Sequence, residues 1–433
     1  MSATKDNNIN NESPPLRISK NLIFLTILFM PFFRPNGING IFPGGQYVYD
    51  ALSMASLGIL VIIYLSGEKQ LIDWQIILSG LMFLVILFST LKNHGDTMVH
   101  IRVTVTCFGM MLGVSNFRKT PRLLMSALLL NSEILIYINL ICLFLFPGGM
   151  YLSHITYGAA NNWWMGYDNH WFIFYYVAYF LALVNILYGG NKWRSLFLIV
   201  VLHLTSLHTF SGVLVVGMLM MDVLLLLKIY QWKMFNFEVI FAGGLLMSIV
   251  LVFFQTIGSI QYVIENILGK SDSMSARARI WRAVIGKIKE HPILGNGRFF
   301  LEQAQVIYGL PAAANAHNMW LEVLVEGGIV AFALFLAIIF VISVKNKKNR
   351  SVFYQVLLIP VAVSLVMMSV DAMMETRGVM FFAMMSIGYN CKFFETAVDE
   401  KAASYFGPGD MTLSLGKRLG KLRKAAVFDK LIR

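Results

Sequence analysis

The chain has 433 residues, 57% of them hydrophobic and 13% charged, with a mean hydropathy of +0.67. Soluble domains carry about a quarter charged residues, so this composition excludes a soluble enzyme, a disulfide scaffold and a disordered regulator and leaves a polytopic membrane protein. The formal charge of +12 is mostly a topology signal, as its distribution shows, and no nucleic-acid partner is expected.

The first twenty residues are polar, and the apolar run at about 21–33 has no small-residue cleavage site behind it, so no cleavable leader is expected. Further apolar runs follow at 47–66, 72–91, 98–116, 123–146, 169–188, 195–210, 211–228, 237–257, 319–343, 352–370 and 377–392, about twelve in all. Each is long enough, or nearly so, to cross a hydrocarbon core of roughly 30 Å as a helix. Helices satisfy every backbone group within the segment, which lipid cannot do.

With the N-terminus inside, 24 of the 35 lysines and arginines fall on the cytoplasmic side, nine of them from Lys392 onward. The expected fold is therefore all-α. A cytoplasmic tail (1–20) leads into nine transmembrane helices (21–257), an extracytoplasmic loop (258–318), three more helices (319–392) and a basic cytoplasmic tail (393–433). The end of that tail, GKRLGKLRKAAVFDKLIR, suits an amphipathic helix on anionic lipid. The three cysteines, Cys107, Cys142 and Cys391, lie in apolar runs and imply neither disulfides nor a metal cluster.

The loop at 258–318 is far longer than the other connections and carries its own periodicity, so it reads as a folded cap. Ser275–Glu290 predicts an amphipathic helix with Ser275 as N-cap. At 100° per residue, Ile280, Trp281, Val284, Ile285 and Ile288 form one stripe, and Arg279, Arg282 and Lys289 the opposite face. Arg277 lies in the first turn beside Trp281. Such a helix suits either lipid phosphates at the interface or a bound diphosphate, because guanidinium forks match phosphate oxygens. The turn His291-Pro292-Ile293-Leu294-Gly295-Asn296-Gly297 follows, and the loop ends at His317-Asn318, where a helix begins. A histidine at a helix N-terminus is kept neutral by the dipole and is available as a base. No metal site competes: His203 and His208 are five residues apart and cannot share an ion on one helix.

Taken together, these pieces resemble the O-antigen ligase and Wzy-type polysaccharide polymerase superfamily. The signature His-[Asn/Ser/Gln], nine residues, then Gly-x-x-Gly is similar to His317-Asn318, MWLEVLVEG, then Gly328-Ile329-Val330-Ala331, with alanine in place of the last glycine. The family's Gly-Arg-x-x-x-Trp is similar to Ala276-Arg277-Ala278-Arg279-Ile280-Trp281, and its His-Pro-x-x-Gly-x-Gly turn to residues 291–297. These motifs cover 275–331.

The resemblance implies transfer of a glycan from an undecaprenyl diphosphate donor to a sugar hydroxyl at the outer face of a bacterial cytoplasmic membrane. It implies no metal and no cofactor, inversion at the anomeric carbon, His317 as base and Arg277 on the diphosphate. Arg279, Arg282, Asn318, Arg102 and Trp281 are the expected substrate-binding residues. Donor and acceptor glycolipids are the expected partners, with a chain-length regulator and a flippase of the same pathway. Family ligases resemble one another in an arginine after a serine at the outer end of a middle helix, whereas Ser211 is followed by Gly212. Trp164-Met165-Gly166-Tyr167-Asp168-Asn169 resembles the Leu-Gly-x-x-Asn stretch of repeat-unit polymerases. The expected activity is thus polymerisation of lipid-linked repeat units into O-antigen, capsule or exopolysaccharide. Ligation to lipid A core is the alternative, and transport of lipid-linked oligosaccharide a second one. Nearby aromatics (Trp163, Trp164, Tyr167, Trp171) suit either sugar stacking or an interfacial belt. Of the charges within spans, Arg102 is a site candidate, Asp222 a structural one and Glu133 is left open between the two. Asp371, Glu375 and Arg377 line the last outer turn.

Overall fold

A computed structural model of the protein describes residues 19–67, 73–155, 158–209, 211–254, 271–310, 313–371 and 378–406. The amphipathic tail helix expected beyond Phe406, and Glu375 and Arg377, lie outside these residues.

Each apolar run coincides with a helix. In chain order these are α1 (Lys20–Phe29, continued by a 3-10 turn, Met30–Phe33), α3 (Gly45–Ser66), α4 (Trp74–Lys92), α5 (Thr97–Asn116), α6 (Pro121–Leu145), α7 (Phe172–Leu187), α8 (Lys192–Thr209), α9 (Gly212–Leu226) and α10 (Phe237–Phe254). One turn, α2 (Ile38–Ile41), links α1 to α3. The cap contributes α11 (Ser271–Glu290) and α12 (Leu301–Tyr308), and α13 (Met319–Asn346), α14 (Val352–Met367) and α15 (Gly378–Tyr389) complete the bundle.

By length and composition α3, α4, α5, α6 and α13 are able to cross a membrane, and α1 with its 3-10 turn, α7, α9, α10, α14 and α15 are shorter apolar helices. The architecture is that of a polytopic membrane protein. Helices that are apolar all round belong in the middle of such a bundle. α7 and α15 are buried along nearly their whole length, whereas α3 exposes Tyr47, Val48, Leu52, Ile59, Ile62 and Leu65 to the surroundings.

Charges inside the bundle are paired, as their desolvation requires. Arg194 Nε donates to Glu133 at 2.8 Å, tying α8 to α6, and Asp222 accepts from Tyr179 and faces His203 Nε2, both at 2.8 Å, tying α9 to α7 and α8. Asp222 is structural, as its position in the sequence suggested, and Glu133 is too.

Two expectations are corrected. The fold is not wholly helical: Tyr151–Ile155 (β1), Gly158–Trp163 (β2) and Gly166–Tyr167 (β3) form a small antiparallel sheet at the end of the bundle that bears the cap. Trp163 pairs with Gly166 across a two-residue turn, and Gly166 sits at φ +83°, which glycine adopts without steric cost. The cap helix begins at Ser271, four residues before the expected cap, so Ser275 lies within it. A polar first turn carries no apolar periodicity, and the stripe marks only the part that packs.

The helix that follows the cap is broken. Gly328 has φ +62° and ψ −165°, a region open to glycine alone, inside α13. The turn at 291–297 fills the break. Asn296 and Gly297 donate their N–H groups to the carbonyls of Val325 and Glu326 (2.7 and 2.9 Å), and Ile329 and Val330 donate to those of Pro292 and Ile293 (2.9 and 3.2 Å). Backbone groups freed by the break are thereby satisfied within the protein, the condition for irregular backbone at membrane depth. Ala331 is fully buried, and a Cβ built on Gly327 would lie 2.3 Å from the Ala331 methyl. Gly327 thus supplies the room that the alanine uses.

Gly328→Ala is expected to destabilise the fold by about 2 kcal/mol or more through backbone strain alone. Its Cβ would also lie 2.3 Å from the Ile293 carbonyl oxygen. Thermal unfolding in nanodiscs checks this, and an unchanged Tm would refute it.

Candidate active site

The cap helix docks by the face the periodicity predicts. Ile280, Trp281 and Val284 are buried, with Ile285 and Ile288 partly so, in a small core with Tyr308 of α12 and Leu321 and Val325 of α13. Arg279, Arg282 and Lys289 are exposed on the other face, while Arg277 is half-buried. The docking therefore separates the arginines: Arg277 is turned toward the bundle, and Arg279 and Arg282 face outward.

Trp281 does not present itself to a substrate. It is fully buried, and its indole N–H donates to the Ala316 carbonyl at 2.9 Å. The next residue is His317. Its φ of +46° is left-handed, unusual for a residue with a side chain, and held by its neighbours. The His317 N–H donates to Asn315 Oδ1 (2.9 Å), and the Ala316 N–H to the carboxylate of Glu322 (2.6 Å).

Asn318 is equally committed. Its Oδ1 caps α13 by accepting from the N–H groups of Trp320 and Leu321, both at 3.1 Å. Its Nδ2 donates to Ser248 Oγ (2.7 Å) and the Ser369 carbonyl (3.0 Å). With these four bonds an asparagine side chain has no capacity left for substrate. Asn318 and Trp281, both expected to bind substrate, instead fix the backbone of His317 from two sides.

Asp371, just beyond α14, completes the histidine's surroundings. His317 Nδ1 lies 3.4 Å from Asp371 Oδ1, within ion-pair distance though off the line of a hydrogen bond. The side chains differ sharply in exposure, 31% for His317 and 7% for Asp371. The carboxylate is buried behind an accessible imidazole. This leaves Nε2 as the nitrogen for an incoming hydroxyl.

Tyr167 lies within electrostatic reach of both Asp371 and Arg277. Burial pushes its phenol up to about 12, with the Asp168 carboxylate raising it, the Arg277 guanidinium lowering it and Asp371 raising it again. Tyr167 therefore lies within the fields of both Arg277 and Asp371. Asn169 Nδ2 donates to the Tyr167 hydroxyl (2.9 Å), and Ser211 Oγ donates to Asn169 Oδ1 (2.6 Å). Two of the other aromatics are structural. Trp163 and Trp171 are buried, with their indole N–H groups donated to the carbonyls of Phe146 and Gly166.

Arg102 is engaged in an ion pair. Its Nε and Nη2 grip Asp50 of α3 (2.8–2.9 Å), and Arg34 shares that carboxylate at 3.1 Å. It ties α5 to α3.

One pair escaped the sequence reading. Arg298 donates to Glu326 at 2.9 Å with both side chains more than nine-tenths buried, pinning the turn against the broken helix. The signal was present: Glu322 and Glu326 lie four apart at the start of an apolar helix, where unpaired charge is too costly to keep.

Residues 172–336 match the Wzy_C family, whose description is O-antigen ligase. Over this stretch the chain is similar to the O-antigen ligase and Wzy superfamily. The matched stretch opens at α7, contains the cap, His317 and the break at Gly328, and ends in the second half of α13. Members of the Wzy_C family are enzymes acting on lipid-linked glycans. The apolar bundle and this family together make the chain an integral membrane protein. No curated protein matches it.

Proposed function

We propose that this protein is a glycosyltransferase that polymerises undecaprenyl-diphosphate-linked repeat units into a surface polysaccharide at the outer face of the bacterial cytoplasmic membrane. The observation that carries this reading is the pairing of accessible His317 with buried Asp371, where the cap helix packs on the His317 loop through Trp281 and, of its arginines, leaves Arg277 half-buried.

The chemistry follows from those groups. The acceptor hydroxyl attacks the anomeric carbon of the donor sugar, and its proton passes to His317 Nε2. Asp371 lies beside Nδ1, and its negative charge stabilises the imidazolium that forms. The bond from the anomeric carbon to the diphosphate oxygen breaks as the new glycosidic bond forms, with inversion. Arg277 meets the charge that develops on the departing diphosphate. A polyprenyl diphosphate is already a good leaving group, so positioning and electrostatics supply most of the acceleration.

Polymerisation is favoured over ligation by the neighbourhood of Ser211. No arginine follows it, and its hydroxyl instead bonds Asn169 beside Tyr167, in the stretch that resembles repeat-unit polymerases. The test uses purified protein in nanodiscs with synthetic lipid-linked repeat units as sole substrate. A ladder of longer lipid-linked glycans is expected, and it should survive prolonged chelation of divalent metals. Transfer only after a lipid A core acceptor is added would make the protein a ligase. Translocation without either product would make it a carrier.

A further inference from the structure

A groove of about 520 Å³ lies at the far end of the cap helix from Arg277, between the C-terminal turn of α11, the α12 helix and the end of α4. Lys287, on its wall, is ten residues from Arg277, about 15 Å along the helix axis. Its volume falls within the range of ligand sites, and no step proposed above uses it.

Its lining argues for a class of ligand. Lys287 is paired to Glu290 at 2.8 Å, and Glu302 adds a second carboxylate, so one ammonium faces two carboxylates. Such a groove repels a diphosphate, in contrast to the arginine end of the same helix. The side chains of Glu302 and His291 make no hydrogen bond or ion pair among the described residues, and Asn93 contributes an amide. Phe299 and Ile307, both packed on the core of the cap, give it apolar surface. Carboxylate, amide and imidazole groups around an apolar face suit sugar hydroxyls and the C–H faces of sugar rings. Proteins that bind small polar ligands use this combination of mostly apolar walls with a few placed polar groups.

We infer that this groove binds an uncharged stretch of the glycan, remote from its diphosphate, and so holds one substrate at a second point while its reducing end lies at Arg277 and His317. The inference rests on the proposed activity for its purpose but not for its test. A second hold of this kind keeps a long glycan in place between transfers, because the local concentration of its other end stays high.

The probe is the repeat-unit oligosaccharide released from its lipid by mild acid, which carries no diphosphate. It is titrated against protein in nanodiscs. Saturable binding is expected, undisturbed by added pyrophosphate, and about tenfold weaker in the Glu302→Gln, His291→Ala double variant, the scale of one or two lost hydrogen bonds. Val306→Trp is the second variant. Val306 lines the groove and is 82% exposed, so an indole there narrows the groove without entering the core, and it too should weaken binding. In the ladder assay both variants should shorten the products more than they slow the first transfer. Equal binding by wild type and both variants would overturn the inference, as would displacement of the glycan by pyrophosphate. A wild type that builds no ladder would overturn the proposed polymerase instead, and the titration would still decide the groove.

Discussion

His317→Ala is expected to abolish polymer, with the transfer rate falling by about 10²–10⁴-fold, the usual contribution of a positioned general base. The protein should stay folded. The Ala316 and Asn318 contacts that hold this loop do not involve the imidazole, so the substitution adds only the small extra strain of alanine at φ +46°. Single-turnover kinetics on lipid-linked repeat units is the measurement, with unfolding temperature as the control. A rate within a few-fold of wild type would remove His317 from the reaction. The companion is Asp371→Asn. If the buried carboxylate acts only by holding the imidazole, kcat should fall by about 10²-fold, more than KM changes, because the orienting partner of a reacting group contributes on that scale. A fall in protein stability with kcat intact would make Asp371 structural.

Arg277→Ala should cost about 10²–10³-fold in rate, as loss of a preorganised charge aimed at the leaving group does elsewhere. Arg279→Ala and Lys289→Ala should each change it by less than about threefold. The contrast follows from docking. Arg279 and Lys289 are exposed on the outward face, where salt and water screen them, while Arg277 is half-buried. Arg277→Lys separates charge from geometry. A lysine keeps the charge but not the planar fork, so it should recover only part of the activity. Equal losses at Arg277 and Arg279 would mean that the cap helix presents a general basic surface rather than one placed guanidinium.

The positions where sequence reading fell short share a cause. Asn318 and Trp281 stand next to reactive residues and have side chains that often bind sugars, so the sequence offers them as substrate contacts. Their hydrogen bonds run instead to Ser248, Ser369 and Ala316, from parts of the chain whose approach no local pattern encodes. Arg102 read as a site candidate because its partner, Asp50, is 52 residues away on another helix and no local pattern shows the pairing. The sheet at 151–167 was missed because five- and six-residue strands of mixed polarity carry too little periodicity to register.

What the sequence by itself determined is the part governed by solvent and by local geometry. Apolar runs of bilayer length must become helices, a stripe at 100° per residue must be the docking face of the cap helix, and His317-Asn318 must open a helix, because each follows from burial or from hydrogen bonds within a few residues. Tertiary structure alone decided which groups meet. Asp371 reaches His317 from the end of α14, Trp281 reaches the Ala316 carbonyl from the cap helix, and the turn at 291–297 closes the break at Gly328. Charges and polar groups buried within a few ångströms of one another govern the chemistry, and that proximity is set by how the helices pack rather than by spacing along the chain.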